Sequence, residues 1–333
     1  MAESRIELGP DADHVIVSIN PKAGKKLPRE RIDRFKTSLR DRGVTVEEMT
    51  DLTEIAARAN DLHDQGRLRA LVGVGGDGTA AELVNRTKQG VPITLFPAGT
   101  ANLIGKYFGL CSKRLGRGRR PEWLADVVME GRLLQFDAGL ASGRLFLVVM
   151  SCGLDAEVVR RVHEYRTTNS RGGHISYRTY LKPILSAIRA YDYPTCHISW
   201  YSDESSVEEP EGETRDARWG FIFNLPCYGW GLPLAPRAKG TDGLMDLCSF
   251  SGRSLFRGLK YVVQAHCGSV HRFSRQCTMA TSPKYRVESS EPVPYELDGD
   301  PGGVLPVEIE TLPGRVTFVV PEKAWKRCSD EAK

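Results

Sequence analysis

Within its first hundred residues the chain alternates short apolar runs with helical patterns, and this alternation restricts its fold more than any other feature. HVIVSIN (14–20), VTVEEMT (44–50), ALVGVGG (70–76) and PITLFPAGT (92–100) read as strands. Between them, helical spacing runs from about Pro28 to Arg42, through LTEIAARANDLHDQ and again through TAAELVNRTKQ. Strands alternating with helices require crossover connections, hence a mainly parallel sheet. In such a sheet ligands bind beyond the carboxyl ends of the strands. Polar, glycine-bearing segments fall at those ends: NPKAG after the first strand, GGDGT after the third and PAGTAN after the fourth.

The pattern changes after about Gly131. RLLQFDAGLASGRLFLVVMSCG reads as two strands around a tight turn at Ala141–Gly143. CHISWYS, WGFIFNLP, GLMDLCSF, QCTMA, KYRVES, PVEIE and RVTFVV follow, punctuated by Gly and Pro, as in an antiparallel sandwich. ISYRTYLKPILSAIRAY interrupts them with helical spacing, and Pro183 is expected to kink that helix. Its apolar face suits packing on a sheet, and its Arg178, Lys182 and Arg189 also suit a bilayer surface. A length of 333 residues accommodates two domains, each with its own core.

Composition excludes several classes. A net charge of +4 does not predict nucleic-acid binding. The basic run CSKRLGRGRR and the acidic run SDESSVEEPEGETRD read as solvated loops, the basic one also as a contact for an anionic membrane surface. Eight cysteines without a CxxC pair or a Cys/His cluster suit a reduced, cytoplasmic protein. No apolar run reaches the ~18 residues of a membrane helix, and the N-terminal stretch lacks an apolar signal region.

Glycine-rich turns let backbone N–H groups approach phosphate oxygens, because no Cβ intervenes. Gly24, Gly75, Gly76 and Gly78 suit that role, with Thr79 and Thr100 adding hydroxyls and the helix near Thr79 its positive end. A carboxylate among phosphates needs a cation, so Asp77 reads as a direct or water-mediated ligand to a nucleotide-borne Mg²⁺. Taken alone, GGDGT is also an ordinary tight turn. The chain has no GxxxxGK[ST], no GxGxxG between strand and helix, and no GxSxG.

Asn20-Pro21-Lys22-Ala23-Gly24, Gly75-Gly76-Asp77-Gly78-Thr79 and Pro97-Ala98-Gly99-Thr100-Ala101-Asn102, in this order, resemble the nucleotide-site motifs of the diacylglycerol kinase and sphingosine kinase family, most closely its soluble bacterial members. The resemblance continues through CGLDAEVV, APRAKGTDGLMDL and LDGDPGG, covering about residues 14 to 320. It implies a kinase using ATP and Mg²⁺ on a lipid hydroxyl. The implied fold is a three-layer α/β nucleotide domain (12–131) followed by an antiparallel β-sandwich lipid domain (132–320), with the active site between them. The last strand is compatible with a return to the first domain. By motif match, Asn20, Pro21, Lys22, Ala23, Gly24, Gly75, Gly76, Asp77, Gly78, Thr79, Ala80, Ala81, Thr100 and Asn102 contact ATP, and Thr50 does so by a looser alignment. A structural Mg²⁺ is implied at KGTDGL, held by carbonyls of Lys239 and Leu244 and the carboxylate of Asp242, although TDG is equally a hairpin turn. The implied partners are a lipid substrate and the inner membrane face, and a homodimer is compatible with the pattern.

One motif departs from the family. Its late Asp-Gly-Glu, whose glutamate is read as the proton acceptor, is here Asp298-Gly299-Asp300. Three readings stay open: Asp300 is the base, Asp298 is the base with Asp300 assisting, or the site is impaired and the chain is a non-catalytic lipid-binding protein. Ala23 also replaces a usual serine. A kinase for a soluble acceptor such as NAD shares GGDGT and is the remaining rival. LFLVV, FIFNLP and LMDLCSF read as core, or as walls for an acyl chain.

Overall fold

The computed structural model describes residues 8, 11–19, 28–111, 119–168, 191–201, 212–229, 231–252 and 277–331. The loop 20–24 and most of the interrupting helical pattern, the basic run and the acidic run therefore lie outside the described residues. The chain forms two compact units, one of residues 1–138 with 312–333 and one of residues 139–311.

In the first unit the strands are β1 (His14–Ile19), β2 (Thr45–Met49), β3 (Leu68–Gly75) and β4 (Pro92–Pro97). They pair in parallel in the order β2-β1-β3-β4. β1 and β4 are buried along their whole length, which is why they read as continuous apolar runs rather than alternating ones. The crossovers are α1 (Arg29–Arg40), α2 (Leu52–Asp64) and α3 (Asp77–Arg86). α1 buries Ile32, Phe35 and Leu39, and α2 buries Ile55, Ala59 and Leu62, each at helical spacing. Asp51 starts α2, accepting hydrogen bonds from the amides of Thr53 (2.8 Å) and Glu54 (3.0 Å).

Among the described residues of the first unit, three further helices have no counterpart in the sequence reading. α4 (Leu103–Tyr107) is one turn long, and α5 (Pro121–Glu130) opens with Pro at its first position, where a missing N–H costs nothing. The last helix, here α7 (Glu322–Glu331), donates the Arg327 guanidinium to the Tyr107 carbonyl at 2.7 Å.

The second unit has two layers of antiparallel strands. One sheet has the order β12 (Cys277–Ser282), β11 (Met245–Phe250), β10 (Trp219–Phe223), β7 (Val149–Gly153), β14 (Pro294–Leu297), β15 (Asp300–Val304). The other layer contains β9 (Gly212–Ala217), β8 (Cys196–Tyr201), β13 (Lys284–Glu288) and the beginning of β16 (Val307–Val320). Met150, Ile222 and Leu247 of the first layer and Ile198, Val287 and Ile309 of the second share one buried cluster. α6 (Leu154–Thr168) begins where β7 ends.

Two strands differ from the sequence reading. PVEIE and RVTFVV form one strand, β16, because Gly314 takes up the bend at φ 60° while its amide donates to Asp137 at 2.8 Å. The first residues of β16 pair with β13, and Thr317 and Phe318 pair in parallel with Pro92 and Ile93 of β4. The apolar run LFLVVMSCG is divided: β5 (Arg132–Ala141) turns at Ser142 and Gly143 into β6 (Arg144–Phe146), and β7 starts only at Val149. The amides that break the run, at 147–149, have a side-chain partner described below.

Candidate active site

Parallel register brings the candidate loops of the first unit to one edge. Ser18 pairs with Met49, Ile19 with Val74 and Gly75 with Pro97. Among the described residues, those that follow these positions leave the sheet at the same edge: exposed Thr50 after β2, GGDGT after β3 and PAGTAN after β4.

GGDGT and PAGTAN interlock, and their glycines are explained mainly by that contact. The Ala98 amide donates to the Gly75 carbonyl at 2.9 Å. A Cβ on Gly99 would lie 2.6 Å from the Gly76 Cα, and one on Gly75 would lie 1.9 Å from the Thr79 hydroxyl. Asn102, left-handed at φ 49° and buried, closes PAGTAN by accepting from the Gly99 amide (3.0 Å) and donating to its carbonyl (2.8 Å). Asp77 joins the loops again: its carboxylate accepts the Leu103 amide at 3.0 Å and the Ile104 amide at 2.9 Å, the free donors at the start of α4. Burial pushes the Asp77 carboxyl up, and these amides oppose that shift.

Gly78 differs from its neighbours. A Cβ there would meet nothing within 4 Å, and its φ is not positive. It is exposed at the first turn of α3, where backbone N–H groups point outward. Thr100 is exposed and Thr79 half-buried on the same side of the sheet, whereas Ala80, Ala81 and Asn102 are buried in the protein.

The second unit holds the other carboxylates. Asp298 is left-handed at φ 53° and Gly299 follows at φ 89°, forming the turn between β14 and β15. The Asp298 carboxylate accepts three amides in succession, from Leu147 (2.7 Å), Val148 (2.8 Å) and Val149 (3.0 Å). It thus satisfies the stretch that divides β6 from β7. Asp300 instead reaches outward, with its side chain 45 % exposed and 3.2 Å from the Arg144 guanidinium. In the KGTDGL turn Asp242 accepts the amide of Leu244 at 3.2 Å, Gly243 has φ 74°, and Lys239 is half-buried. Among the described residues no group of three His, Cys, Asp or Glu side chains is arranged to hold a metal ion.

Sequence reasoning missed four polar groups near these turns. Asp246, just beyond Leu244, is buried and pushed up to about 6 by desolvation, while the Thr281 hydroxyl donating at 3.0 Å opposes the shift. A buried Glu296 and the half-buried Asp155 and Tyr228 cluster near the Asp298–Asp300 turn. The available signal was a glutamate inside the apolar strand PYEL, since a glutamate is rarely buried without a partner.

Comparison with known proteins places this geometry. Residues 14–141 match the model of the diacylglycerol kinase catalytic domain, and residues 148–320 match the YegS C-terminal NAD kinase beta sandwich-like domain. The chain belongs to the family these two domains define, a family of kinases. It is 24% identical over 324 residues to a diacylglycerol kinase of Bacillus subtilis, with 93% of this chain and 97% of that protein covered. Its fold resembles the crystal structure of a diacylglycerol kinase from Bacillus anthracis, with TM-score 0.62 at 16% identity, covering 94% of this chain and 98% of the other. It also resembles an NAD kinase from Archaeoglobus fulgidus solved with ATP, with TM-score 0.51 at 14% identity, covering 96% and 98%. No helix among the described residues is long and apolar enough to cross a membrane.

Proposed function

We propose that this chain is an ATP- and Mg²⁺-dependent lipid kinase that transfers the γ-phosphate to a hydroxyl of a diacylglycerol-like or sphingoid lipid. One observation carries the nucleotide half of this reading: the interlocked loops at the carboxyl edge of the parallel sheet leave open space at Gly78, where the chain itself has no need for glycine. A phosphate oxygen would fill that space against the amides that open α3. Thr79 and Thr100 would add hydroxyl donors, and Asp77 would fix the loops that hold them. Mg²⁺, when bound, neutralises charge on the β- and γ-oxygens.

The acceptor half rests on Asp300. Its neighbour Asp298 has both carboxylate oxygens engaged by amides, so of the two Asp300 is the one disposed to act on a substrate. As the lipid oxygen bonds to the γ-phosphorus and ADP leaves, the hydroxyl proton would pass to Asp300. The Arg144 guanidinium orients that carboxylate. The turn of Lys239, Asp242 and Leu244 supplies one carboxylate and backbone carbonyls, hard oxygen donors that suit a structural Mg²⁺. Peripheral contact with an anionic membrane would bring the lipid to the enzyme.

The test is transfer of label from γ-labelled ATP to a mixed lipid extract by wild type, Asp77→Ala and Asp300→Ala. The expected result is a labelled lipid with wild type and at least a hundredfold loss in each variant. Absence of label in any lipid, or full labelling by Asp300→Ala, overturns the reading. The fold shared with an NAD kinase favours one rival, for which NAD would be labelled without lipid or detergent.

A further inference from the structure

Near the turn that carries Asp300, the second unit holds two acidic side chains that the proposed reaction does not use, a buried Glu296 and a half-buried Asp155. Glu296 lies on β14, an interior strand, and is 0% exposed. Its Oε2 accepts the Gly299 amide at 2.5 Å, and its buried Oε1 has no hydrogen-bond partner. Across the strand pair, Glu296 stands in register with Ser151 of β7. The Ser151 hydroxyl donates to Asp155 at 2.6 Å, and the Tyr228 hydroxyl reaches both oxygens of the same carboxylate at 2.9 and 2.7 Å.

We propose that Glu296 is a positioning residue for Asp300: from inside the sheet it holds the Gly299 amide and, beside Ser151, rests on the Asp155–Tyr228 pair at the start of α6. The inference rests on the reading of Asp300 as the acceptor-side base.

The hydrogen bonds around the two carboxyls favour one charge state. Ser151 has one proton, and its short contact with Asp155 takes it, so the hydroxyl can offer Glu296 only a lone pair. Burial pushes the Asp155 carboxyl up as well, but its two hydroxyl donors oppose that shift, so of the two carboxylates it is the better-stabilised anion. An ionised Glu296 would set a fully buried charge beside it with a single amide to oppose it. Glu296 is accordingly neutral, a protonated carboxyl. Burial first, and Asp155 second, push it well above the usual carboxylate range. The other ionisable groups near it are Tyr228 and Asp298. Glu157, also on α6, is paired with Arg160 and Arg161.

A neutral carboxyl is mimicked by glutamine and not by leucine, and this sets the experiment. The folded protein holds a proton on Glu296 that the unfolded chain has released above the ordinary glutamate range. Stability is therefore lost as pH rises through the window between the unfolded and folded values. In urea denaturation from pH 5 to 9, Glu296→Gln is expected to remove that loss, so that its midpoint rises relative to wild type with increasing pH. Parallel pH dependences in the two proteins overturn the neutral assignment.

Positioning is read by hydrogen exchange and kinetics. Exchange at the Gly299 amide is expected to rise at least tenfold in Glu296→Leu and to stay within about threefold in Glu296→Gln. In the lipid-labelling assay kcat is expected to fall at least tenfold in Glu296→Leu, with KM for ATP unchanged, and to persist in Glu296→Gln. Unchanged exchange in Glu296→Leu, or wild-type kcat in that variant, overturns the positioning role. If wild type labels no lipid, the kinase reading fails, and the exchange measurement still decides whether Glu296 anchors the turn.

Discussion

Asp77-Gly78 of the first unit and Asp298-Gly299 of the second use the same letters for different reasons. Asp77 and Asp298 perform similar work: each carboxylate reaches another segment and accepts consecutive backbone amides, two at α4 and three at 147–149. The glycines that follow diverge. Gly299 has φ 89°, a conformation that the backbone of an L-residue resists. Gly78 has neither positive φ nor a crowding neighbour. A glycine required by its own backbone is a folding device. One that the chain does not need marks open space, which the proposed nucleotide would fill.

Substitutions can break this comparison, beginning with the largest expected effect. Asp298→Ala strips three amides of their acceptor among the buried residues Leu147, Val148 and Val149, so unfolding free energy should fall by about 3–5 kcal/mol. Urea denaturation measures it, and a loss below about 1 kcal/mol would mean water replaces the carboxylate. Asp77→Ala removes two such bonds and should cost about 2–3 kcal/mol by the same method, together with nucleotide binding in calorimetry. Gly299→Ala should cost about 1–2 kcal/mol from backbone strain alone, since no atom lies within 4 Å of the new methyl. Gly78→Ala should stabilise the protein by about 0.5 kcal/mol through reduced freedom of the unfolded chain. It should nevertheless weaken ATP binding at least tenfold. A Gly78→Ala protein that binds ATP normally would reduce GGDGT to a turn.

The fold class was legible because β1 and β4 are buried on both faces and the later strands are punctuated by Gly and Pro. The apolar run 145–153 was legible as strand but not as two strands, because the break is imposed by Asp298, a residue far along the chain. LPG read as a boundary, although Gly314 bends within β16 without ending it. Pro121 is the start signal of α5, and its short apolar face of Leu124, Val127 and Val128 is too brief to announce a helix beside a basic run. At the candidate site, GGDGT announced itself through its glycines. What the sequence did not reveal is that Gly76 and Gly99 are small for one another's sake and Gly75 for the Thr79 side chain. Glu296 was illegible for a related reason: its partners Ser151, Asp155 and Tyr228 are brought to it only by strand pairing and by the start of α6.

The path of β16 has a consequence for how the protein is made. The first unit takes its fifth parallel strand and closing helix from residues 312–333. A ribosome releases that strand only after the entire second unit has been synthesised. Until then β4 has an open edge that invites pairing with other chains. A nascent chain stopped after Thr311 should therefore aggregate, and supplying the missing tail as a separate peptide should rescue it.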